Sequence, residues 1–303
     1  MPAAAETNFP NLGASNWDRQ VGAKQLPLFN DRGAIAGCFS LPTSGAEFRL
    51  DQRLFERISP EGADYSSGMT LHSSRSLGIL TLERGVPAGA KPPTPPPGSM
   101  LNSATFNFPT ISETVPGAWV ENVVRGDPAL EPSFVAAAQR LVQRGAIVIS
   151  STCGFSIRHQ PTLAAAVNVP VVTSSLLLLP TLLHQLPSAA KIAVLTYDST
   201  HCGEDLLGVD DQAQRARIVI GGIEGGKFWH DELKRPAPPV DVAAIEADVT
   251  ACVVRLRAAH PEIAAILLEC AGFPMVALAV RRMAKLPVYD ITDLCRMAMA
   301  SVS

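Results

Sequence analysis

From about Arg75 onward, short apolar runs alternate with segments whose apolar residues recur at helical spacing. The runs Leu77–Leu82, Ala146–Ser150, Val169–Thr173, Lys191–Thr196, Arg217–Ile220, Ala264–Leu268 and Pro287–Asp290 are predicted as strands. They are continuous rather than alternating, the pattern of strands buried on both faces of a parallel sheet. Between them, Glu131–Arg144 is predicted as a helix because Phe134, Ala138, Leu141 and Val142 share one face. Further helices are expected ending near Asn168, over Ser175–Leu186, Val242–Ala259 and Pro274–Lys285, and after Asp290. Pro274 suits a first helical position, where its missing N–H would be unpaired anyway. The stretch Val86–Gly98 is a proline-rich connector, since each proline removes a donor and fixes φ.

Alternating strands and helices predict an α/β fold with parallel sheets. The first 75 residues carry no such rhythm, although Phe48–Ile58 has apolar residues at rough helical spacing. They are expected to be a surface extension, or else to cap a pocket or dress an oligomer interface. The expected division is an extension over 1–75, a first α/β domain over 76–177 with 286–303, and a second over 178–285.

One short unit occurs twice. Ala146-Ile-Val-Ile-Ser-Ser-Thr-Cys-Gly-Phe155 and Ala264-Ala-Ile-Leu-Leu-Glu-Cys-Ala-Gly-Phe273 each join an apolar strand to a cysteine. Pro170 lies 17 residues beyond Cys153, and Pro287 lies 17 beyond Cys270. Ligands of open α/β sheets collect at strand C-terminal ends, so both cysteines are predicted where such proteins do chemistry. Cys38, Cys202, Cys252 and Cys295 fall outside the repeat and are expected to pack in the core or lie at the surface.

Composition narrows the function. With 303 residues and 47% hydrophobic side chains, two domains can each bury a core. A net charge of −3 gives no electrostatic case for nucleic acid or an anionic membrane as partner. The longest apolar stretch, Val169–Leu183, is interrupted by Pro170, Ser174, Ser175 and Pro180 and is too short to span a bilayer. No secretory signal pattern opens the chain, and the scattered cysteines read as reduced, so a cytoplasmic location is expected. Neither cysteine-rich spacing nor a His-x-x-x-His pair is present, so no metal is expected; His159, His184 and His201 read as surface or cap residues. The glycines at 221, 222, 225 and 226 do not match a dinucleotide fingerprint.

The stretch from Leu77 to about Ala300 resembles the aspartate/glutamate racemase superfamily, including its hydantoin-racemase and arylmalonate-decarboxylase branches. The resemblance rests on Leu77-Gly-Ile-Leu-Thr81, Pro97-Gly-Ser-Met-Leu-Asn102 with Thr105-Phe-Asn-Phe-Pro109, and Ser151-Thr-Cys-Gly-Phe155. It continues through Val194-Leu-Thr-Tyr-Asp198, Ile220-Gly-Gly-Ile-Glu-Gly225, Leu268-Glu-Cys270 and Leu286-Pro-Val-Tyr-Asp290. It implies two α/β domains related by pseudo-twofold symmetry, with the site in the cleft between them. Two positions depart from the family pattern. Ala271-Gly272 stand where a Thr or Ser and then an Asn often follow the second cysteine, and Ser99 stands where an acidic residue is common.

Cysteine chemistry suits proton transfer next to a carboxylate. Free thiols ionise near 8.5, and a helix N-terminus lowers this; Cys270 lies just before the proline-started helix. The expected activity is a cofactor-independent racemase or epimerase of a small carboxylate or carbonyl compound, with Cys153 and Cys270 exchanging acid and base roles. The alternatives are a decarboxylase or cis–trans isomerase using the same cleft, and a binding protein that has lost turnover. Candidate substrate donors are Asn102, Thr105, Thr152, Gly154, Ser174, Ser175, Tyr197, Ala271 and Gly272, although Asn102 could equally make a turn beside Gly98, Ser174 or Ser175 cap the next helix, and Tyr197 pack in the core. Glu269 and Asp290 could orient cleft groups, although strand alternation would put Glu269 off the cysteine's face. No cofactor is expected, and a homodimer is the commonest closed assembly.

Overall fold

The computed structural model describes residues 75–302 apart from 88, 91 and 92, together with the backbone of two strands nearer the N-terminus. These two, β1 (Gln25–Phe29) and β2 (Ile35–Ser40), form an antiparallel pair in which Gln25 faces Ser40. The helical spacing noted at Phe48–Ile58 lies outside the described residues, and so does the side chain of Cys38.

The racemase-like stretch is built on two four-stranded parallel sheets. In the first, β3 (Ser76–Thr81), β4 (Thr110–Thr114), β5 (Ala146–Ser151) and β6 (Val171–Val172) lie in the order β4-β3-β5-β6. The second contains β7 (Lys191–Thr196), β8 (Ile218–Gly222), β9 (Ile263–Leu268) and β10 (Val288–Tyr289), in the order β10-β9-β7-β8. Counted along the chain, both sheets run second, first, third, fourth. The sequence repeat is therefore a repeat of topology.

The apolar runs explain the layering. On β3 and β5, Leu80 and Ile149 face one way, into a cluster with Phe134 and Leu141 of the helix Glu131–Gln143. Leu77, Ile79 and Val148 face the other way, against Ile291, Leu294, Cys295 and Ala298 of the helix Ile291–Val302. In the second sheet, Ile192–Leu195 and Ile266–Leu268 are buried in one cluster with Ile245, Val249 and Val253 of the helix Val242–Ala259 and Val280 of Ala277–Ala284. Each fully buried side chain of this kind contributes about 1.5–3 kcal/mol.

Helix starts follow the sequence signals. Asp241 accepts a hydrogen bond from the Ala244 N–H at 3.1 Å, capping the longest helix. Prolines occupy the first turns of the segments beginning at Glu131, Gln160, Leu179 and Phe273. Two expected α-helices open as 3-10 turns instead, over Ser175–Leu178 and Phe273–Val276.

The C-terminal segment, described to Val302, is divided between the two sheets. Its strand β10 pairs with β9 of the second sheet, Val288 facing Ile266, while its helix lies on β5 and β6 of the first. No helix among the described residues is long and apolar enough to cross a membrane.

Candidate active site

Each cysteine follows the third strand of its sheet, at the point where strand order reverses. The Thr152 N–H donates to Leu80 O at 2.9 Å, one residue beyond β5, and Cys153 comes next. In the second half the Glu269 N–H donates to Leu195 O at 2.8 Å, and Cys270 comes next. After each sulfur the chain turns into a 3-10 segment, Gly154–His159 or Phe273–Val276. The turns are closed by the Ser156 N–H donating to Cys153 O at 3.1 Å and the Phe273 N–H to Cys270 O at 3.0 Å, and the backbone N–H groups of Phe155, Ser156 and Gly272 lie near enough to favour the thiolates. The Cys153 N–H donates to Ser151 Oγ at 3.2 Å, and that hydroxyl shares a 2.9 Å hydrogen bond with Ser156.

Cys153 and Cys270 line one cavity of about 680 Å³, together with Thr152, Gly154, Tyr197, Ala271 and Gly272. That volume lies within the roughly 300–1,000 Å³ of small-molecule sites. Its remaining wall includes Ile79, Phe155, Phe228 and Met275, with proline-rich chain at Pro93–Pro96 and Pro238–Pro239. Gly98, at φ 84°, lets the first of these segments approach, since a Cβ there would lie 2.8 Å from Met275 Cα.

Four candidate donors point elsewhere. Asn102 closes a turn, its Nδ2 donating to Pro95 O at 2.6 Å and its Oδ1 accepting from the Ala104 N–H at 2.8 Å. Thr105 Oγ1 donates to Ser99 O at 2.6 Å, so Ser99, Met100 and Leu101 reach the cavity instead. Ser174 caps the next turn, accepting from the Leu176 N–H at 3.3 Å. Ser175 Oγ donates to Leu268 O at 2.7 Å, a buried tie between the two halves. Tyr197 lines the cavity, but its hydroxyl donates to Trp229 O at 2.7 Å.

Glu269 corrects the alternation argument. β9 ends at Leu268, so strand geometry no longer dictates where the next side chain goes. The Glu269 carboxyl is 1% exposed, lines the cavity and rests on Gly154, where any Cβ would overlap its Oε1 and its backbone oxygen. Thr196 Oγ1 donates to Oε2 at 2.8 Å, and Oε1 has no hydrogen-bond partner. Burial pushes this carboxyl up to about 7 against the bonds from Thr196 and the Tyr197 N–H.

The thiols are not acidified at rest. Burial first, and then the negative charge of Glu269, push both Cys153 and Cys270 well above the ordinary thiol range. The backbone donors at the following turns oppose this without prevailing. The helix start after Cys270 therefore does not yield the lowered pKa expected of it. Each thiol would also repel charge on the other, and Glu232 adds to the field at both. Cys270 is part-exposed, whereas Cys153 is 8% exposed.

Cys202, Cys252 and Cys295 are buried; Cys295 donates to Ser150 Oγ at 3.3 Å. His159 is buried rather than superficial, its ring stacked 4.4 Å from Phe134. Among the described residues no three ligand-type side chains converge as a metal site would require.

No protein-family model matches the chain. A dimethylsulfoniopropionate lyase of Durusdinium sp. clade D is 32% identical over 206 residues, covering 65% of this chain and 67% of that protein. Dimethylsulfoniopropionate lyase 5 of Emiliania huxleyi is 25% identical over 244 residues, 77% of this chain, which spans only about half (47%) of that longer protein. Among solved structures, glutamate racemase isoform RacE1 of Bacillus anthracis superposes with a TM-score of 0.50 at 13% identity, covering 76% of this chain and 82% of that one. The fold is thus that of the aspartate/glutamate racemase superfamily. Within that fold, the chain belongs to the family of the Durusdinium dimethylsulfoniopropionate lyase.

Proposed function

We propose that the protein is a cofactor-independent lyase that cleaves a small sulfonium carboxylate of the dimethylsulfoniopropionate type. The observation that carries this reading is the pair of cysteines lining one cavity, in a chain related to proteins named for that cleavage. The thiolate of Cys270, the more exposed of the two cysteines, having first given its own proton to solvent, takes the proton from the carbon next to the carboxylate. The electrons of that C–H bond become the new carbon–carbon double bond, and the pair of the C–S bond leaves with sulfur as dimethyl sulfide. The unsaturated acid, acrylate, remains, and the Cys270 thiol returns its proton to solvent.

The raised thiols fit this chemistry. A cation a few ångströms from a thiol lowers its pKa, by roughly 1–3 units for a close opposite charge. The substrate carries that cation, so a sulfonium in the cavity shifts Cys270 towards its thiolate. The backbone N–H of Gly154 and the Thr152 hydroxyl are available for the charge that develops on the carboxylate.

A second reading is racemisation of a small chiral carboxylate, favoured by the second thiol, Cys153, on the same cavity. Elimination needs one base, whereas inversion needs a base and an acid on opposite faces. The test is incubation with dimethylsulfoniopropionate and headspace measurement of dimethyl sulfide. Release that disappears in Cys270→Ala supports the lyase. Absence of release, with exchange of a chiral acid's α-proton for deuterium that requires both cysteines, would replace it by the racemase.

A further inference from the structure

We propose that Arg84 reads the substrate's carboxylate, with Glu232 holding the guanidinium in place. This rests on the proposed function only in taking the substrate to be a small carboxylate. Among the described residues lining the cavity, Arg84 is the one cation, and it shares the wall with two carboxyl groups, Glu232 and Glu269. An anion entering there meets repulsion unless a positive group receives it, and Ala271 and Gly272 beside Cys270 offer no side-chain donor.

The geometry suits the task. Arg84 Nη1 donates to Glu232 Oε2 at 2.7 Å and Nη2 to Oε1 at 2.9 Å, a two-pronged pair between groups 148 residues apart. This uses two of the five guanidinium N–H bonds and leaves three for a ligand. The backbone is fixed as well, since Arg84 O accepts from the Ala237 N–H at 2.9 Å. Glu232 is the more buried partner, at 15% side-chain exposure against 37% for Arg84. Glu232 and Arg84 line the same cavity as the two cysteines, and the charge of Glu232 is felt at Cys153, Cys270 and Tyr197. A half-exposed ion pair adds little stability of its own. An arginine fixed in orientation, however, loses little freedom on meeting a carboxylate.

The test compares propionate with propionamide, by calorimetry on the full chain. Wild type is expected to prefer propionate. Arg84→Met is expected to lose about 10- to 100-fold in propionate affinity, the worth of a charge-assisted hydrogen bond, while propionamide binding stays unchanged. Arg84→Gln keeps a hydrogen bond to Glu232 without the charge and should lose as much. Wild-type propionate affinity in Arg84→Gln overturns the proposal, whether or not Arg84→Met folds; so does a wild type that does not prefer the anion. Dimethyl sulfide release without that preference would sink this assignment alone. The preference without release would sink the lyase reading alone.

Discussion

The carboxyl of Glu269 rests directly on Gly154, so the residue before one cysteine is packed on the residue after the other. This contact welds the two strand ends that carry the sulfurs. Any Cβ at 154 would drive into Glu269 Oε1 and into the backbone oxygen, which cannot swing aside. Gly154→Ala is therefore expected to cost about 1–3 kcal/mol of stability, as overpacking does, and to depress turnover. Thermal unfolding beside a dimethyl sulfide assay checks this; an alanine variant that melts like wild type would contradict the packing.

Removing the thiols separates their roles. Cys270→Ala should lower dimethyl sulfide release by about 10²–10⁴-fold, the usual worth of a general base. Cys153→Ala should leave a substantial part of the activity, because elimination needs only one base. Equal, near-complete losses in both variants would favour two-base exchange instead.

Glu269 sets a pH dependence. Burial holds its carboxyl at about 7 rather than the ordinary 4.5, so between these values the folded protein keeps a proton that the unfolded chain has lost. Stability is then greatest below 4.5, falls as pH rises through that window, and stays lowered above 7. The contribution is on the order of 3 kcal/mol. Glu269→Gln should flatten the profile, gaining on wild type at pH 8 and not at pH 4. Melting temperatures across pH 4–9 decide it, and parallel curves for the two proteins would rule it out.

The strut from Ser175 Oγ to Leu268 O is buried and joins the halves behind the cavity. Ser175→Ala leaves that carbonyl without its hydroxyl donor and should cost about 1–3 kcal/mol. Chemical denaturation measures the loss; an unchanged midpoint would show that the bond contributes nothing.

Much of the fold was readable in the chain, for a physical reason. Lys191–Thr196 and Val242–Ala259 have the bounds their patterns suggested, because one is a nearly unbroken apolar run and the other is long and capped by Asp241. The repeated strand-to-cysteine unit likewise announced two like sheets. β4 stayed hidden: Thr-Ile-Ser-Glu-Thr is an edge strand, part-exposed, with a single strongly apolar residue. Asn102 makes the turn and Ser174 the cap that their sequence context also allowed, while Thr105 and Ser175 are claimed by backbone carbonyls that no local pattern reveals. The facing of Glu269 was misjudged because alternation stops when a strand does, here at Leu268. The pairing of Arg84 with Glu232 has no local signature, since only folding brings such distant positions together.

The division of the tail between the sheets has a practical corollary. Shortening the chain past Pro287 would strip an edge from one half and uncover the apolar face of the other in a single cut. Damage at this end would spread through both lobes, so a purification handle is better appended beyond Val302 than substituted into the final helix.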